Sequence, residues 1–205
     1  MSICSQCCAF CCRNFSLVTL TGADILRLKL VLQVPYQFFV EVKLISKDQT
    51  EKLEKNFALF CFKQDEVNVD DRGFFILKSE ESALMPKTNK CLFLHEWMLK
   101  DKIIARCSIY NIRPYVCRAF PMYFDKNTYK GVLNPHLDSL KGFDCLSQYT
   151  VDDPNKQIED LILKDYEKNF FKKVADKWNK NPGKIDDIYE FLEKEYSNRL
   201  EINLA

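Results

Sequence analysis

Five of the ten cysteines in this 205-residue chain lie within its first twelve residues, in the stretch CSQCCAFCC. They are Cys4, Cys7, Cys8, Cys11 and Cys12. In a helix all five side chains would lie within an arc of roughly 140°. In an irregular segment the overlapping C-x2-C pairs would curl around an ion, as they do in zinc and iron–sulfur loops. In either conformation the sulfur atoms converge, so the segment predicts a fold built around a metal site.

The overall composition is that of a globular protein, with 47% apolar, 13% aromatic and 29% charged residues. Thirty basic and 29 acidic residues leave a net charge of +1, which gives no electrostatic basis for binding nucleic acid or an anionic membrane. The sequence shows neither a secretory signal pattern nor an apolar run of about 18 residues. We therefore expect a cytoplasmic protein whose partners are metal ions, with a protein partner as a further hypothesis.

Two other interpretations of the N-terminal cysteines remain open at this point. Ten cysteines could form a disulfide framework, but only in an oxidising compartment. A cysteine run near the N-terminus could also be palmitoylated. However, position 2 is Ser2 rather than the glycine that myristoylation requires, and no polybasic stretch follows. A two-signal membrane anchor is therefore not indicated.

Four later cysteines stand beside short predicted strands or loops. They are Cys91, Cys107, Cys117 and Cys145, with 15, 9 and 27 residues between them. The fold must bring them back to the N-terminal group if they share a site, and a four-thiolate site would then fasten the N-terminus to the middle of the chain. Cys61 lies inside the apolar run FALFCF and is interpreted as a small buried hydrophobic residue.

The adjacent pair Cys11 and Cys12 bears on the number of metals. Neighbouring side chains point about 100° apart in a helix and to opposite faces in a strand. Two such thiols more readily serve different metals, or different irons of one cluster, than a single ion. One site and two sites both remain open.

The predicted fold class is α+β: a small irregular β element stapled by the cysteine metal site, surrounded by helices and followed by a helical C-terminal tail. A helix is expected over 21–33, with Thr21 as its N-cap and Asp24 three residues on. The segment 91–95, CLFLH, is expected to form one strand. Asp153–Pro154 starts a charged helical extension. The predicted domains are 1–150, which binds metal, and 151–205, which packs on it.

The order C-x3-C-x2-C-C, followed by LVTLTGADILRL, CLFL and CSIYNIRPYVCRAFP, resembles the YkgJ-like cysteine-cluster family of CxxCxxCC zinc- or iron-chelating domains. The resemblance covers roughly residues 4–150, and RP-x2-CR-x-FP is its most specific part. Cys7 and Cys61 are extra to the family's pattern of eight cysteines. That pattern falls here on Cys4, Cys8, Cys11, Cys12, Cys91, Cys107, Cys117 and Cys145.

The resemblance implies a protein that holds an iron–sulfur cluster of the [4Fe–4S] type, or zinc, through these eight cysteines. Flagellin lysine N-methylases carry a similar cluster, so a protein lysine N-methylase-like enzyme is one alternative. A zinc-stapled interaction module is another. Arg113 and Arg118 flank Cys117 and are expected either to donate hydrogen bonds to thiolates or to pair with acidic residues such as Asp24. His95 is interpreted as a packed or exposed residue rather than a ligand.

Overall fold

The computed structural model describes residues 9–14, 17–63, 71–125, 127–128, 130–133 and 154–203. The helices are α1 (Phe10–Asn14), α2 (Gly22–Leu32), α3 (Tyr36–Phe39), α4 (Lys47–Glu54), α5 (Tyr115–Ala119), α6 (Pro154–Trp178) and α7 (Asp187–Asn203), with a 3-10 turn at Tyr110–Ile112. The strands are β1 (Val40–Ile45), β2 (Phe60–Phe62), β3 (Asp71–Leu77), β4 (Ser79–Glu81), β5 (Asn89–Cys91), β6 (Leu94–Leu99), β7 (Lys102–Cys107), β8 (Met122–Asp125) and β9 (Lys130–Leu133). This mixture confirms the α+β class.

The chain divides into two compact units. The first comprises residues 1–18 and 77–164, and the second comprises residues 19–76 and 165–205. The domain limits predicted from the sequence, 1–150 and 151–205, stay a prediction. None of the helices in the described ranges is both long enough and apolar enough to cross a membrane.

The first unit is built from short antiparallel strand pairs, β4–β5, β6–β7 and β8–β9. The β6–β7 hairpin pairs Leu94 with Cys107 at its open end and Leu99 with Lys102 at its closed end. Its two-residue turn, Lys100–Asp101, has φ values of 47° and 62°. Left-handed residues at both turn positions match the twist of the flanking strands. The hairpin is therefore tightly closed, and its register is fixed.

Helix α2, in the second unit, begins with the predicted capping box. The Thr21 hydroxyl accepts a hydrogen bond from the backbone N–H of Asp24 at 3.3 Å, and the Asp24 carboxylate accepts one from the backbone N–H of Thr21 at 3.1 Å. Both bonds satisfy donors that a helix start leaves unpaired. The helix ends at Gln33, which takes a left-handed conformation with φ of 54°. The predicted helix over 21–33 is confirmed.

Aromatic packing forms the core of the second unit. Its three-stranded sheet has the order β1-β3-β2, and the Phe60 ring lies 5.1 Å from that of Phe75 and 4.9 Å from that of Phe171. Helix α7 buries one face, with residues Ile188, Tyr189, Leu192 and Tyr196. Ile185 precedes the helix and is 40% exposed.

The end of helix α6 covers the edge of strand β2. The Asn179 side chain accepts a hydrogen bond from the backbone N–H of Cys61 at 2.7 Å and donates one to the carbonyl of Leu59 at 2.8 Å. The Trp178 indole N–H donates to the carbonyl of Cys61 at 2.7 Å. Side chains thus replace the backbone partner that a further strand would provide. Cys61 is half-buried in the second unit.

Replacing Asn179 with alanine should lower the free energy of unfolding by about 1–3 kcal/mol, because a backbone donor and a backbone acceptor both lose their partner. Chemical denaturation of the two proteins measures this difference. Asn181→Ala, at an exposed position two residues away, is the matched control and should stay within about 0.5 kcal/mol of the wild type. Equal losses in the two variants would contradict the proposed role of Asn179.

Candidate metal centre

Two of the predicted ligands lie on the first helix of the first unit. Cys11 and Cys12 belong to α1, which Ala9 precedes in a left-handed conformation with φ of 57°. The backbone N–H of Arg13 donates to the carbonyl of Ala9 at 3.1 Å and so closes the helical turn. Although neighbouring positions of a helix point apart, the sulfur atoms of Cys11 and Cys12 lie only 3.8 Å from each other.

Three more predicted ligands lie in the first unit, two at strand ends and one on a short helix. Cys91 is the last residue of β5, and Cys107 is the last residue of β7. Cys117 lies on α5. Residues 92–93 form a turn between β5 and β6, so the prediction of one continuous strand over 91–95 is wrong. That turn, together with the pairing of Leu94 and Cys107, brings the ends of β5 and β7 close to each other.

A small apolar cluster joins α1 to these strands. Ala9, Leu94 and Ala105 are buried together, and Cys12 and Cys91 pack against them. Two of the three buried residues are alanines, so the cluster brings backbone segments and thiols close to each other. The five described cysteines of the first unit are unbridged thiols.

The Cys11–Cys12 pair shares one hydrogen bond between its sulfur atoms. The bond from the Cys12 thiol lowers the pKa of Cys11 to about 7, against the opposing effect of burial and with help from the positive charge of Arg113. The same bond raises the pKa of Cys12, as do burial and the negative charges of Cys11, Cys117 and Cys91. The shared bond therefore favours the loss of one proton from the pair and disfavours the loss of the second.

The other three thiols hold their protons more tightly than usual. Burial, together with the charges of Cys107 and Cys11, raises the pKa of Cys91 to about 11. Burial also raises the pKa of Cys107, and the negative charge of Cys11 raises it further. The pKa of Cys117 lies well above its ordinary value because of burial and the charges of Cys91, Cys11 and Cys107. The five thiols are thus close enough for the charge of one to act on the others.

This donor set fits a metal cation in its chemistry. Buried thiols that disfavour one another's ionisation are stabilised as thiolates by a bound cation, which lowers their pKa values. As placed, no group of three or more histidine, cysteine, aspartate or glutamate side chains in the described part of the chain is arranged to hold a metal ion. Of the eight predicted ligands, Cys4, Cys8 and Cys145 lie outside the described residues, as does Cys7.

The two arginines beside Cys117 have different surroundings. The Arg113 side chain donates to the carbonyl of Tyr110 at 2.9 Å, and its guanidinium lies 3.8 Å from the centre of the Tyr110 ring. Arg118 forms an ion pair with Asp160. The acidic partner expected from the sequence, Asp24, instead pairs with Arg27 at 2.8 Å.

The histidine closest in sequence to these cysteines is turned to solvent. The His95 side chain is exposed, and its ring centre lies 5.5 Å from that of Trp97. The interpretation that His95 is not a ligand stays a prediction. His136 lies outside the described residues.

A buried polar network beside the thiols is missed by the sequence reasoning. The Arg13 side chain donates to one oxygen of Glu96 at 2.8 Å, and the Ser82 hydroxyl donates to the other at 2.7 Å. The exposed fractions of the Arg13 and Glu96 side chains are only 9% and 3%. The available signals were the position of Arg13 directly after Cys12 and the alternation of β6, which places Glu96 on the same face as Leu94.

The pKa of Glu96 should make folding depend on pH. Burial alone would raise this pKa, but the hydrogen bonds from Ser82 and Arg13 and the charge of Arg13 lower it below its ordinary value of 4.5. A carboxyl with a lowered folded pKa stabilises the fold above its unfolded pKa, and this contribution is lost as pH falls through the folded pKa.

Unfolding of the wild type and of Glu96→Gln, measured from roughly pH 7 to pH 3, tests this dependence. The free energy of unfolding of the wild type should exceed that of Glu96→Gln most at the upper end of this range, and the difference should shrink toward the lower end. The control is Glu54→Gln, in an exposed pair with Arg72 whose atoms lie 3.9 Å apart. Its free energy of unfolding should follow that of the wild type at every pH, because exposed ion pairs contribute little to stability. A constant gap between the wild type and Glu96→Gln would contradict the prediction.

The fold and the thiols define a class: a small α+β protein in which a helix, two strand ends and a second short helix gather unbridged cysteines. A family model matches residues 3–136, and the chain belongs to that family, CxxCxxCC, described as "Putative zinc- or iron-chelating domain". The family expected from the cysteine pattern is thereby confirmed. No curated protein and no solved structure is significantly similar to the chain.

Proposed function

We propose that this protein binds iron as a [4Fe–4S] cluster through its cysteines. The carrying observation is that four separate elements, α1, β5, β7 and α5, hold five unbridged thiols. The sulfur atoms of Cys11 and Cys12 lie 3.8 Å apart, and Cys12 and Cys91 pack against the same apolar cluster. The family's description as zinc- or iron-chelating supports it. The proposed ligands are drawn from the eight cysteines of the family pattern, four for each centre: Cys4, Cys8, Cys11, Cys12, Cys91, Cys107, Cys117 and Cys145.

The adjacent thiols of Cys11 and Cys12 favour a polynuclear centre. A structural zinc ion and an iron–sulfur cluster each take four protein ligands, so the five described thiols of the first unit exceed what either one requires. In an iron–sulfur cluster, cysteines bind different irons, so adjacent residues such as Cys11 and Cys12 can both serve. This supports a cluster, or two sites, over one mononuclear ion.

The surroundings of the thiols suit an anionic centre. Arg113 rests on the ring of Tyr110, and its positive charge favours the thiolate forms of Cys11, Cys107 and Cys117 against the opposing effect of burial on their pKa values. A fixed cation of this kind offsets the negative charge of a thiolate-bound cluster and helps to set its reduction potential. The centre would require a reducing compartment such as the cytoplasm, because the ligands must remain unbridged.

Zinc is the second candidate, and one distance favours it. A tetrahedral site with Zn–S bonds of about 2.3 Å has sulfur atoms about 3.8 Å apart, and the sulfur atoms of Cys11 and Cys12 lie 3.8 Å apart. This pair could therefore span one edge of a zinc site. The protein would then be a zinc-stapled module whose remaining surface meets a partner.

Metal and sulfide analysis of the anaerobically purified chain tests both candidates. Iron and acid-labile sulfide in equal amounts, with the visible absorption of sulfide-bridged iron, is the result expected for the cluster. Stoichiometric zinc without sulfide would favour the second candidate. Trace metal only, both as purified and after reconstitution with iron and sulfide or with zinc, would contradict both.

A further inference from the structure

The β6–β7 hairpin presents one face to helix α1. Leu94 pairs with Cys107, and Glu96 pairs with Ala105. Alternate residues of a strand share a face, so these four residues lie on the same side of the hairpin. Leu94 and Ala105 are buried with Ala9, which directly precedes α1. The face that carries the Cys107 thiol is therefore the face that receives α1.

Glu96 lies at the meeting point of three segments that position cysteines. One carboxylate oxygen accepts from Arg13, one residue after Cys12, and the other accepts from Ser82, one residue after strand β4. The Ser82 hydroxyl in turn accepts from the backbone N–H of Met85 at 3.0 Å. Strand β4 pairs with β5, where Ser79 lies opposite Cys91. One carboxylate thus ties α1 to the hairpin and to the β4–β5 pair.

Helix α1 depends on such contacts. It has only five residues, far fewer than an isolated helix needs to persist in water. In the described part of the chain, the apolar cluster beside it contains Leu94, Ala105 and Cys91. Removing one partner of a nearly buried ion pair strongly destabilises the fold, because the remaining charge is left without compensation. The Arg13–Glu96 pair is thus a nearly buried polar contact that joins α1 to the strands.

We infer that Arg13, Glu96 and Ser82 form a positioning network that holds Cys11 and Cys12 beside Cys91 and Cys107 before metal arrives. This inference rests on the proposed metal-binding function. The network contributes no ligand. It arranges the ligands in the metal-free chain, so that binding does not have to order α1.

Cobalt binding by the full-length, reduced chain tests the inference, with Co²⁺ as the probe and a chromophoric chelator as the competitor. Glu96→Gln should bind Co²⁺ about 10- to 100-fold more weakly than the wild type, the usual effect of losing a partner that orients metal ligands. The number of cobalt ions bound and the thiolate-to-cobalt absorption per ion should not change. Arg13→Lys, which keeps the positive charge, should bind more tightly than Arg13→Gln.

Two controls separate positioning from general destabilisation. Glu54→Gln removes an exposed ion pair of the second unit and should leave cobalt affinity unchanged. Asn179→Ala weakens the second unit without touching the network, and it should also bind cobalt as the wild type does. An affinity of Glu96→Gln within about twofold of the wild type, or an equal loss in Asn179→Ala, would overturn the inference.

The outcomes also distinguish this inference from the proposed function. A wild-type chain that takes up neither cobalt nor a reconstituted iron–sulfur cluster contradicts the proposed function. A wild-type chain that binds metal no better than its network variants contradicts the inference alone. Should Glu96→Gln fail to fold, Ser82→Ala is judged by the same criterion, because it keeps the ion pair and removes one hydrogen bond.

Discussion

Cys117→Ser should lose most of its bound metal during a chelator challenge, whereas Cys61→Ser should keep it. A structural zinc site supplies about 10–16 kcal/mol of apparent binding free energy, so one ligand of four accounts for roughly 2.5–4 kcal/mol, or about 10²- to 10³-fold in affinity. Cys117 lies among the other thiols of the first unit. Cys61 lies on strand β2 of the second unit, where its backbone is bonded to Trp178 and Asn179.

The comparison is matched because both substitutions replace one sulfur by oxygen at a cysteine that is at least partly buried. Metal per chain is measured before and after the challenge, and circular dichroism verifies that each variant is folded. Cys107→Ser should behave like Cys117→Ser. Equal metal retention by the Cys61 and Cys117 variants would refute the assignment of Cys117 as a ligand.

Metal removal should affect the first unit far more than the second. The described apolar cluster around the thiols contains only Ala9, Leu94 and Ala105 with two cysteines, so little area is available for hydrophobic stabilisation. The second unit buries large side chains, among them Phe60, Phe75 and Phe171. Metal binding on the order of 10 kcal/mol would dominate the stability of the first unit.

Hydrogen exchange with mass spectrometry, before and after chelation, measures this difference. Amides of 89–107 should lose most of their protection, while amides of 22–32 and 187–197 should retain it. Cys117→Ser, already depleted of metal, is the control and should change little on chelation. Equal loss of protection in both units, or no loss in either, would contradict the expectation.

The features predicted correctly from the sequence depend on residues that lie close together along the chain. The capping box of α2 involves Thr21 and Asp24, three residues apart, so a short window contains all of its chemistry. The start of α6 at Pro154 was predicted for the same reason, because proline suits a first helical turn. The cysteine pattern identified the family because spacing along the chain survives in the sequence itself.

Features that depend on distant residues were not predictable. Arg13 and Glu96 are 83 residues apart, and each could equally have been a solvated surface charge. The run CLFLH is apolar throughout, so it carries no period that would reveal the turn between Cys91 and Leu94. Helix α1 was one of two conformations open for the cysteine segment, because propensity decides little in a piece of five residues.

Trp178 and Asn179, which cover the edge of strand β2, also limit how this protein can associate with other chains. An uncovered strand edge can recruit a strand from another molecule, which leads to swapping or fibrils. Here the backbone groups of Leu59 and Cys61 are already occupied by side chains. Strand addition to the three-stranded sheet would therefore have to occur beside β1. The exposed side chains of Glu41 and Lys43 on that strand disfavour pairing with a strand from another molecule.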